Sequence, residues 1–320
     1  MLDATNNGET DALTDLARLV QATGYTFVTP TPATHARVLA RPGEGWAADL
    51  RDVFGWSKPF RAGVVAAPMM DAMAAAGVLA EVPGGWRSRV RFSSLDGLLI
   101  AHSAYPTTAA DAVFFGPDTY RFARAIRDVL HAPVQRAVDI GCGAGPGAIL
   151  VARAHPGAEV FAVDINDAAL RMTRANAALA GVAVQAVHSD LLDALPGTFD
   201  LIVANPPYLV DPAQRAYRHG GGPLGAGLSL KILDAALERL APGGTLVLYT
   251  GAAIIGGNDP FHDAAAARLA VRRLGWRYEE MDPDVFGEEL EGGVYAVADR
   301  IAAVVLTVRR PATIGDHDHA

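Results

Sequence analysis

Cysteine is almost missing from this chain: Cys142 is the single one in 320 residues. No internal disulfide can form, which fits a reducing compartment, and the expected location is cytoplasmic. A long unbroken apolar run is missing too. The most apolar stretch, 60–82, is interrupted by Arg61, Pro68, Asp71 and Glu81, so it reads as helix and strand rather than as a membrane span. The opening MLDATNNGETDALTDL has neither the basic nor the apolar segment of a secretory leader, and none is expected. Positive charge is also in short supply. The net charge is −8; residues 1–105 hold 9 Lys/Arg against 10 Asp/Glu, and the remainder 18 against 25. This argues against tight non-specific binding to nucleic acid, which depends on cationic contacts to phosphate, and leaves a local RNA contact open. No internal repeat or long low-complexity tract occurs.

What is present is a globular composition, 51% hydrophobic and 19% charged, in a chain long enough for two domains. The first third is helical in pattern. ALTDLARLVQATG reads as an amphipathic helix ended by Gly24, TPATHARVLA as a helix with Pro32 at its start and Thr31 as its cap, and PMMDAMAAAGVL as a helix ended near Gly77. RSRVRFSSLDGLLIAHS reads as two strands around a turn at Asp96-Gly97. Helices followed by a hairpin predict a winged-helix-like recognition domain over 1–105. From Pro133 the pattern becomes strand and helix in alternation: QRAVDIG, EVFAVDI, VAVQAVHSD, FDLIVAN and GTLVLYT, with helices near 146–155, 167–180, 228–241 and 260–274. Short, nearly all-apolar strands between helices predict a doubly wound α/β fold, a parallel sheet covered on both faces. GWRYEEMD and RIAAVVLTV have no helix between them, so the last strand is expected to run antiparallel. This second domain is placed at 106–310 and a disordered tail at 311–320.

AVDIGCGAGPGAIL (137–150) is a strand, a glycine-dense turn and a helix start. Gly141, Gly143, Gly145 and Gly147 permit positive φ and close approach of backbone to a ligand. Asp139 lies just inside the strand end, where its carboxylate can receive a cationic amine or order the loop. Asp164 ends the second strand and can accept hydrogen bonds from ribose hydroxyls. Asp190 ends the third and can accept from an adenine amine. A nicotinamide-dependent oxidoreductase is a competing reading, since GAGPGA fits the loose dinucleotide-binding pattern. Two details weigh against it: an acid precedes the first glycine by two residues, and the fourth strand, with Asp200, leads into Asn205-Pro-Pro-Tyr208, for which hydride transfer has no use.

DIGCGAG, Val-Asp164 and Asn205-Pro-Pro-Tyr208, in this order on successive strands, resemble the class I S-adenosylmethionine-dependent methyltransferases. More narrowly they resemble the N-methyltransferase branch that includes the glutamine methyltransferases of release factors and of a ribosomal protein. The resemblance covers residues 113–309 and implies a seven-stranded Rossmann-like sheet. It implies S-adenosyl-L-methionine as cofactor, held by Asp139, Gly141, Gly143, Gly145, Asp164, Asp190 and Asn205. It also implies transfer of a methyl group to a planar nitrogen, with no metal. In that chemistry the Asn205 side-chain oxygen and the Pro206 carbonyl each accept one N–H of the acceptor NH2. This turns its lone pair toward the methyl group and stabilises the charge that develops on nitrogen. Tyr208 offers a flat face for the acceptor; Pro207 and Phe115 are assigned to the substrate side.

The flanking segments set the substrate expectation. VFFGPDTYRFARAI (113–126) and HGGGPLGAGLSLKILDAAL (219–237) resemble parts of the glutamine enzymes, and the glycines of the second suggest a mobile cover. The family's usual Arg-Pro and Thr-Glu pairs are here Gly-Pro and Thr-Tyr, and its acid at the end of the fifth strand is replaced in LYTGAAI. A protein glutamine side chain is therefore the first choice of acceptor, an exocyclic amine of RNA or DNA the second, and a small metabolite with an amide or amine the third. A module that binds the cofactor without chemistry stands as another class. Arg87, Arg89 and Arg91 read as the wet face of a hairpin, and Arg121, Arg124 and Arg127 as a solvated helix face. His317 and His319 are assigned to the tail. The acidic DPDVFGEELEGG (282–293) either borders the pocket or is a solvated loop.

Overall fold

The computed structural model describes residues 3–42, 45–215, 217–272 and 274–312; the proposed tail with His317 and His319 lies almost wholly outside them. The chain opens with helices α1 (Asp3–Ala22), α2 (Pro32–Leu39), α3 (Leu50–Phe54) and α4 (Ala67–Ala75). Thr31 caps α2 as its sequence predicts, accepting the Thr34 N–H at 3.2 Å with Pro32 in the first turn. Two hairpins follow, β1 (Leu79–Val82) with β2 (Gly85–Ser88), and β3 (Val90–Leu95) with β4 (Leu98–Ser103). Asp96 and Gly97 both take positive φ, 51° and 77°, at the two-residue turn between β3 and β4, the geometry that matches the twist of paired strands. The first hairpin is an addition to the sequence expectation: its strands are four residues long, too short for alternation to register, and its pairing is extended by a bridge from Phe60 to Trp86.

Next come α5 (Pro117–Arg127), β5 (Arg136–Ile140), α6 (Pro146–Ala154), β6 (Glu159–Asp164), α7 (Asp167–Ala180), β7 (Gln185–His188) and β8 (Phe199–Ala204). They are followed by α8 (Gly227–Arg239), β9 (Leu240–Ile254), α9 (Pro260–Arg272), β10 (Gly275–Asp282) and β11 (Arg300–Arg309). Seven strands form one sheet in the order β10-β11-β9-β8-β5-β6-β7. β9, β8, β5, β6 and β7 are parallel, and β11 runs against both neighbours. This is the expected doubly wound sheet with its last strand reversed.

Strand alternation sorts the core. Ala137, Leu201, Val203, Val247 and Val305 face one layer, packed with Phe122 of α5, Ile149 of α6 and Leu170 of α7. Val138, Ile202, Leu246, Leu248, Val304 and Leu306 face the other, with Ile232 and Leu233 of α8 and Leu269 of α9. A third core, including Leu16, Phe54, Phe60, Met73 and Phe92, belongs to the first hundred residues and takes in Ala175 of α7. Helix α7 is thus a wall shared by the sheet and the N-terminal segment. Asp200 lies at the opposite sheet end from the glycine turn, where its Oδ2 accepts the N–H groups of Gln135 and Arg136 at 2.9 Å each and pins β5 to β8.

Candidate active site

The registers bring Asp139 level with Ala162 and Val203, and Ile140 level with Ala204. The glycine turn after β5, Asp164 at the end of β6 and Asn205 after β8 therefore share the carboxyl edge of adjacent strands, where a doubly wound sheet has its crevice. One cavity at this edge is lined by Asp139, Gly141, Gly143, Asp164, Asp190, Asn205, Pro206, Pro207 and Tyr208. Nine of the residues singled out in the sequence thus meet at one place.

The turn itself is built from backbone. Gly141, Gly143 and Gly145 have φ of 67°, 55° and 82°, a region that L side chains rarely enter. A Cβ on Gly141 would meet nothing within 4 Å, leaving space against the backbone for a ligand. Gly145 departs from expectation. Its Cβ position falls 2.8 Å from Cγ2 of Thr173, and it is absent from the cavity lining, so its glycine serves the close approach of α7 rather than a ligand. Gly147 likewise leaves room for Oδ2 of Asp139, 2.6 Å from where a Cβ would stand.

Asp139 is 2% exposed, and its Oδ2 accepts the Ala148 N–H at 3.0 Å. Of the two roles open to it in the sequence, ordering the loop is therefore realised through the start of α6. Burial pushes its carboxyl up to about 7, against the pull of the Ala148 N–H and with further push from Asp164 nearby. Asp164 accepts from Gly143 N–H at 3.0 Å and from Asn166 N–H at 2.9 Å, one on each oxygen, and burial raises its pKa as well. A carboxylate has about four acceptor positions, so lone pairs remain for a ligand. A cavity lined by four carboxylates, Asp139, Asp164 and Asp190 at the strand ends and Asp118 beside Tyr208, with open space at Gly141, suits a ligand that is cationic and rich in donors.

At the other end of the cavity, neither the Asn205 side chain nor the Pro206 carbonyl has a hydrogen-bond partner among the described residues. Asn205 is half-buried rather than sealed in the core. Tyr208 is 7% exposed. Its hydroxyl donates to Oδ2 of Asp118 at 2.8 Å, and its ring rests on Gly251, where a Cβ would stand 2.2 Å from Cδ2. The tyrosine is therefore packed and tethered as well as lining the cavity. Burial, with the Asp118 charge beside it, raises its phenol pKa well above the ordinary value.

Several side chains lie elsewhere than expected. Phe115 is 2% exposed, stacks on His102 with ring centroids 5.0 Å apart, and does not line the cavity. In extended chain successive side chains alternate in direction, and it is Phe114 that lines the cavity, beside Tyr217 at 6.3 Å between centroids. Arg87 and Arg91 lie on different strands; Arg91 is 4% exposed, and burial lowers its pKa to about 10. It is not part of a wet face. Arg121 is not merely solvated either, since it pairs with Asp118 at 3.1 Å and Asp282 at 2.5 Å. The 282–293 segment does border the cavity: Phe286 lines it, with its ring centroid 5.8 Å from that of Tyr208. The glycine-rich 219–227 segment packs tightly, with Gly220 N–H donating to Leu209 O at 2.8 Å and Gly225 lying directly over the Tyr208 carbonyl. It is a closely fitted wall here, not a detached cover.

Sequence reading missed Asn176. Its Nδ2 donates to Ala144 O at 2.8 Å and Ala101 O at 2.9 Å, while its Oδ1 accepts the Ala101 N–H at 2.8 Å. One buried amide thereby joins the glycine turn to β4. The visible signal was a polar side chain on the inner face of an otherwise apolar helix.

The profile of the Methyltransferase small domain matches residues 121–255. A release factor glutamine methyltransferase of Deinococcus radiodurans is 33% identical over 214 residues, 63% of this chain and 73% of that one. This chain belongs to the class I S-adenosylmethionine-dependent methyltransferases. It is an N-methyltransferase whose methyl donor is S-adenosyl-L-methionine. The methyltransferase is also 39% identical over 139 residues to a ribosomal protein uL3 glutamine methyltransferase of Bordetella pertussis, 39% of this chain and 46% of that one. It is 34% identical over 154 residues to a 4-amino-L-phenylalanine/4-methylamino-L-phenylalanine methyltransferase of Streptomyces pristinaespiralis, 42% of this chain and 52% of that one. It thus spans about half the length of these last two relatives. Among its described residues no helix is long and apolar enough to cross a membrane.

Proposed function

We propose that this enzyme methylates the side-chain nitrogen of a protein glutamine, with Asn205 and Pro206 as the groups that hold it. The observation that carries the reading is the pair of acceptors without partners, the Asn205 side chain and the Pro206 carbonyl, lining the same cavity as Gly141 and Asp164. The NH2 of an amide is a weak nucleophile because its lone pair is delocalised. When bound, S-adenosylmethionine supplies a strongly electrophilic methyl group, so what the chain must add is aim. Two acceptors engage both N–H bonds, fix the NH2 plane and stabilise the positive charge that develops on nitrogen. Positioning of this kind supplies on the order of 7–11 kcal/mol of a barrier, and the reaction needs no metal.

On the cofactor side, Asp164 is proposed to accept from the ribose hydroxyls, Asp190 from the adenine amine, and the backbone at Gly141 and Gly143 to lie along the ligand. Asp139 acts mainly by holding the turn and by its charge. The first hundred residues, packed on α7, are proposed to orient the substrate. Similarity to the release-factor and ribosomal-protein enzymes supports protein as the acceptor class.

A second reading has its own observation. Phe114, Tyr208, Tyr217 and Phe286 all line the cavity, and flat aromatic walls suit an aromatic amine as well as an amide. The relative that acts on 4-amino-L-phenylalanine supports this alternative.

The test is transfer of tritiated methyl from S-adenosylmethionine into an extract separated into protein, RNA and small molecules, followed by assays on a glutamine-bearing peptide and on 4-amino-L-phenylalanine. Label in protein at glutamine supports the first reading. Label confined to small molecules and to 4-amino-L-phenylalanine would replace it with the second, and label in RNA alone would discard both.

A further inference from the structure

Asp118 and its partners do not grip the acceptor, yet they form a connected set of which Asp118 and Tyr208 line the cavity and Arg121, Tyr249 and Asp282 stand behind them. Asp118 is 6% exposed, in the first turn of α5. Its Oδ2 accepts from the Tyr208 hydroxyl at 2.8 Å, and its Oδ1 from the Tyr249 hydroxyl at 2.6 Å and from Arg121 Nη1 at 3.1 Å. Arg121 reaches on through Nη2 to Asp282 Oδ2 at 2.5 Å. Tyr249 is fully buried on β9, the neighbour of β8. Tyr208 is thus held twice, by its hydroxyl on Asp118 and by its ring on Gly251.

Building on the acceptor reading above, we propose that Asp118 is a positioning residue for methyl transfer. By fixing Tyr208 it fixes the turn that begins at Asn205 and Pro206, so that both acceptors keep one orientation. Through Arg121 and Asp282 it ties that orientation to the segment bearing Phe286, whose ring lies 5.8 Å from that of Tyr208. The hydroxyl proton of Tyr208 is committed to Asp118, and Asp118 accepts three hydrogen bonds in all, so the network is spent on holding this wall in place. As the N–CH3 bond forms, the S–CH3 bond breaks with its electron pair staying on sulfur, so S-adenosylhomocysteine is the leaving group; the nitrogen, then with four bonds and a positive charge, sheds its proton to solvent.

The experiment compares wild type with Asp118→Asn, Tyr208→Phe and the double variant, on the acceptor identified by the labelling assay. S-adenosylhomocysteine affinity is measured alongside. Each single variant is expected to lower kcat about tenfold to a hundredfold, the scale of a displacement near 1 Å. Homocysteine-nucleoside affinity stays within twofold, and the shape of the pH profile is unchanged. Because Asp118 acts through Tyr208, the double variant should be no worse than the worse single one. Wild-type kcat in either single variant, losses that multiply in the double, or a matching loss of cofactor-product affinity would each overturn the proposal. If no acceptor takes label, the functional reading falls, and the network is still decided by proton NMR. A slowly exchanging Tyr208 hydroxyl signal that vanishes in Asp118→Asn supports it; no such signal in wild type overturns it.

Discussion

The two ends of the cavity are held in different ways. At the cofactor end, carboxylates are fixed by nearby backbone: Asp139 by Ala148, Asp164 by Gly143 and Asn166. At the acceptor end, side chains are fixed by other side chains from far along the chain. Asp118 meets Tyr208 across 90 residues and Tyr249 across 131, and Arg121 meets Asp282 across 161. Backbone donors at a turn are set once the turn forms. A side-chain network depends on four separate elements being packed correctly. The cofactor end is therefore the sturdier frame, and the acceptor end the place where small changes alter chemistry without altering binding.

The sharpest way to break this comparison is Asn205→Ala. It removes one acceptor from the NH2 grip and leaves the glycine turn untouched. Turnover should fall about 10²–10³-fold, the scale seen for removal of one transition-state hydrogen-bonding group, with a far smaller loss of S-adenosylhomocysteine affinity by calorimetry, since Asp164, Asp190 and the glycine turn stay in place beside the lost Asn205 contact. Equal turnover in wild type and variant would refute the assigned role. Next in size is Asn176→Ala. It strands the Ala101 N–H and the carbonyls of Ala101 and Ala144, and each buried polar group left unpaired costs about 1–3 kcal/mol. Denaturant unfolding should show a loss of at least that size. Cofactor affinity should weaken while kcat at saturating cofactor holds, the reverse of Asn205→Ala. A smaller effect of the same sign is expected for Gly145→Ala, which forces an L side chain to φ 82° against Thr173. The cost is about 1–3 kcal/mol of strain, read as a lower midpoint of thermal unfolding.

The same contrast explains what could be read in advance. The seven-stranded sheet was legible because each strand is a short apolar run bounded by turn residues, and such local patterns survive without their neighbours. Gly141, Gly143, Asp164 and Asn205 were legible because their motif is contiguous or sits at strand ends. Phe115 was not, since only the direction of the chain decides whether it or Phe114 faces the cavity. Arg91 was not, because its burial is imposed by packing among Thr29, Phe27 and the tyrosines of the N-terminal segment. The partners of Asp118 were illegible for the same reason: nothing near residue 118 announces Tyr249 or Asp282. Tyr208 divided between the two classes. Its motif marked the cavity, while its tether to Asp118 had to be seen in three dimensions.

The gentlest probe is pH, and it bears on the cofactor end alone. Burial lifts the Asp139 carboxyl from 3.8 to about 7 in the folded chain. An acid with a raised folded pKa holds its proton more tightly folded than unfolded. Its contribution to stability is therefore greatest below the unfolded value and is lost as pH rises through about 7. Binding should run the other way. S-adenosylmethionine carries positive charge, and the cavity offers it a full negative charge at Asp139 only once that proton has left. Affinity should thus rise between pH 6 and pH 8, by about threefold to tenfold for one added unit charge at short range in a partly screened site. Asp139→Asn should reduce both slopes to the part that Asp164, itself raised by burial, contributes. The acceptor end has no part in this titration, so Asn205→Ala should keep the wild-type slope of cofactor affinity with pH. A slope that vanished in Asn205→Ala would mean that the two ends are coupled and that the division drawn between them is wrong.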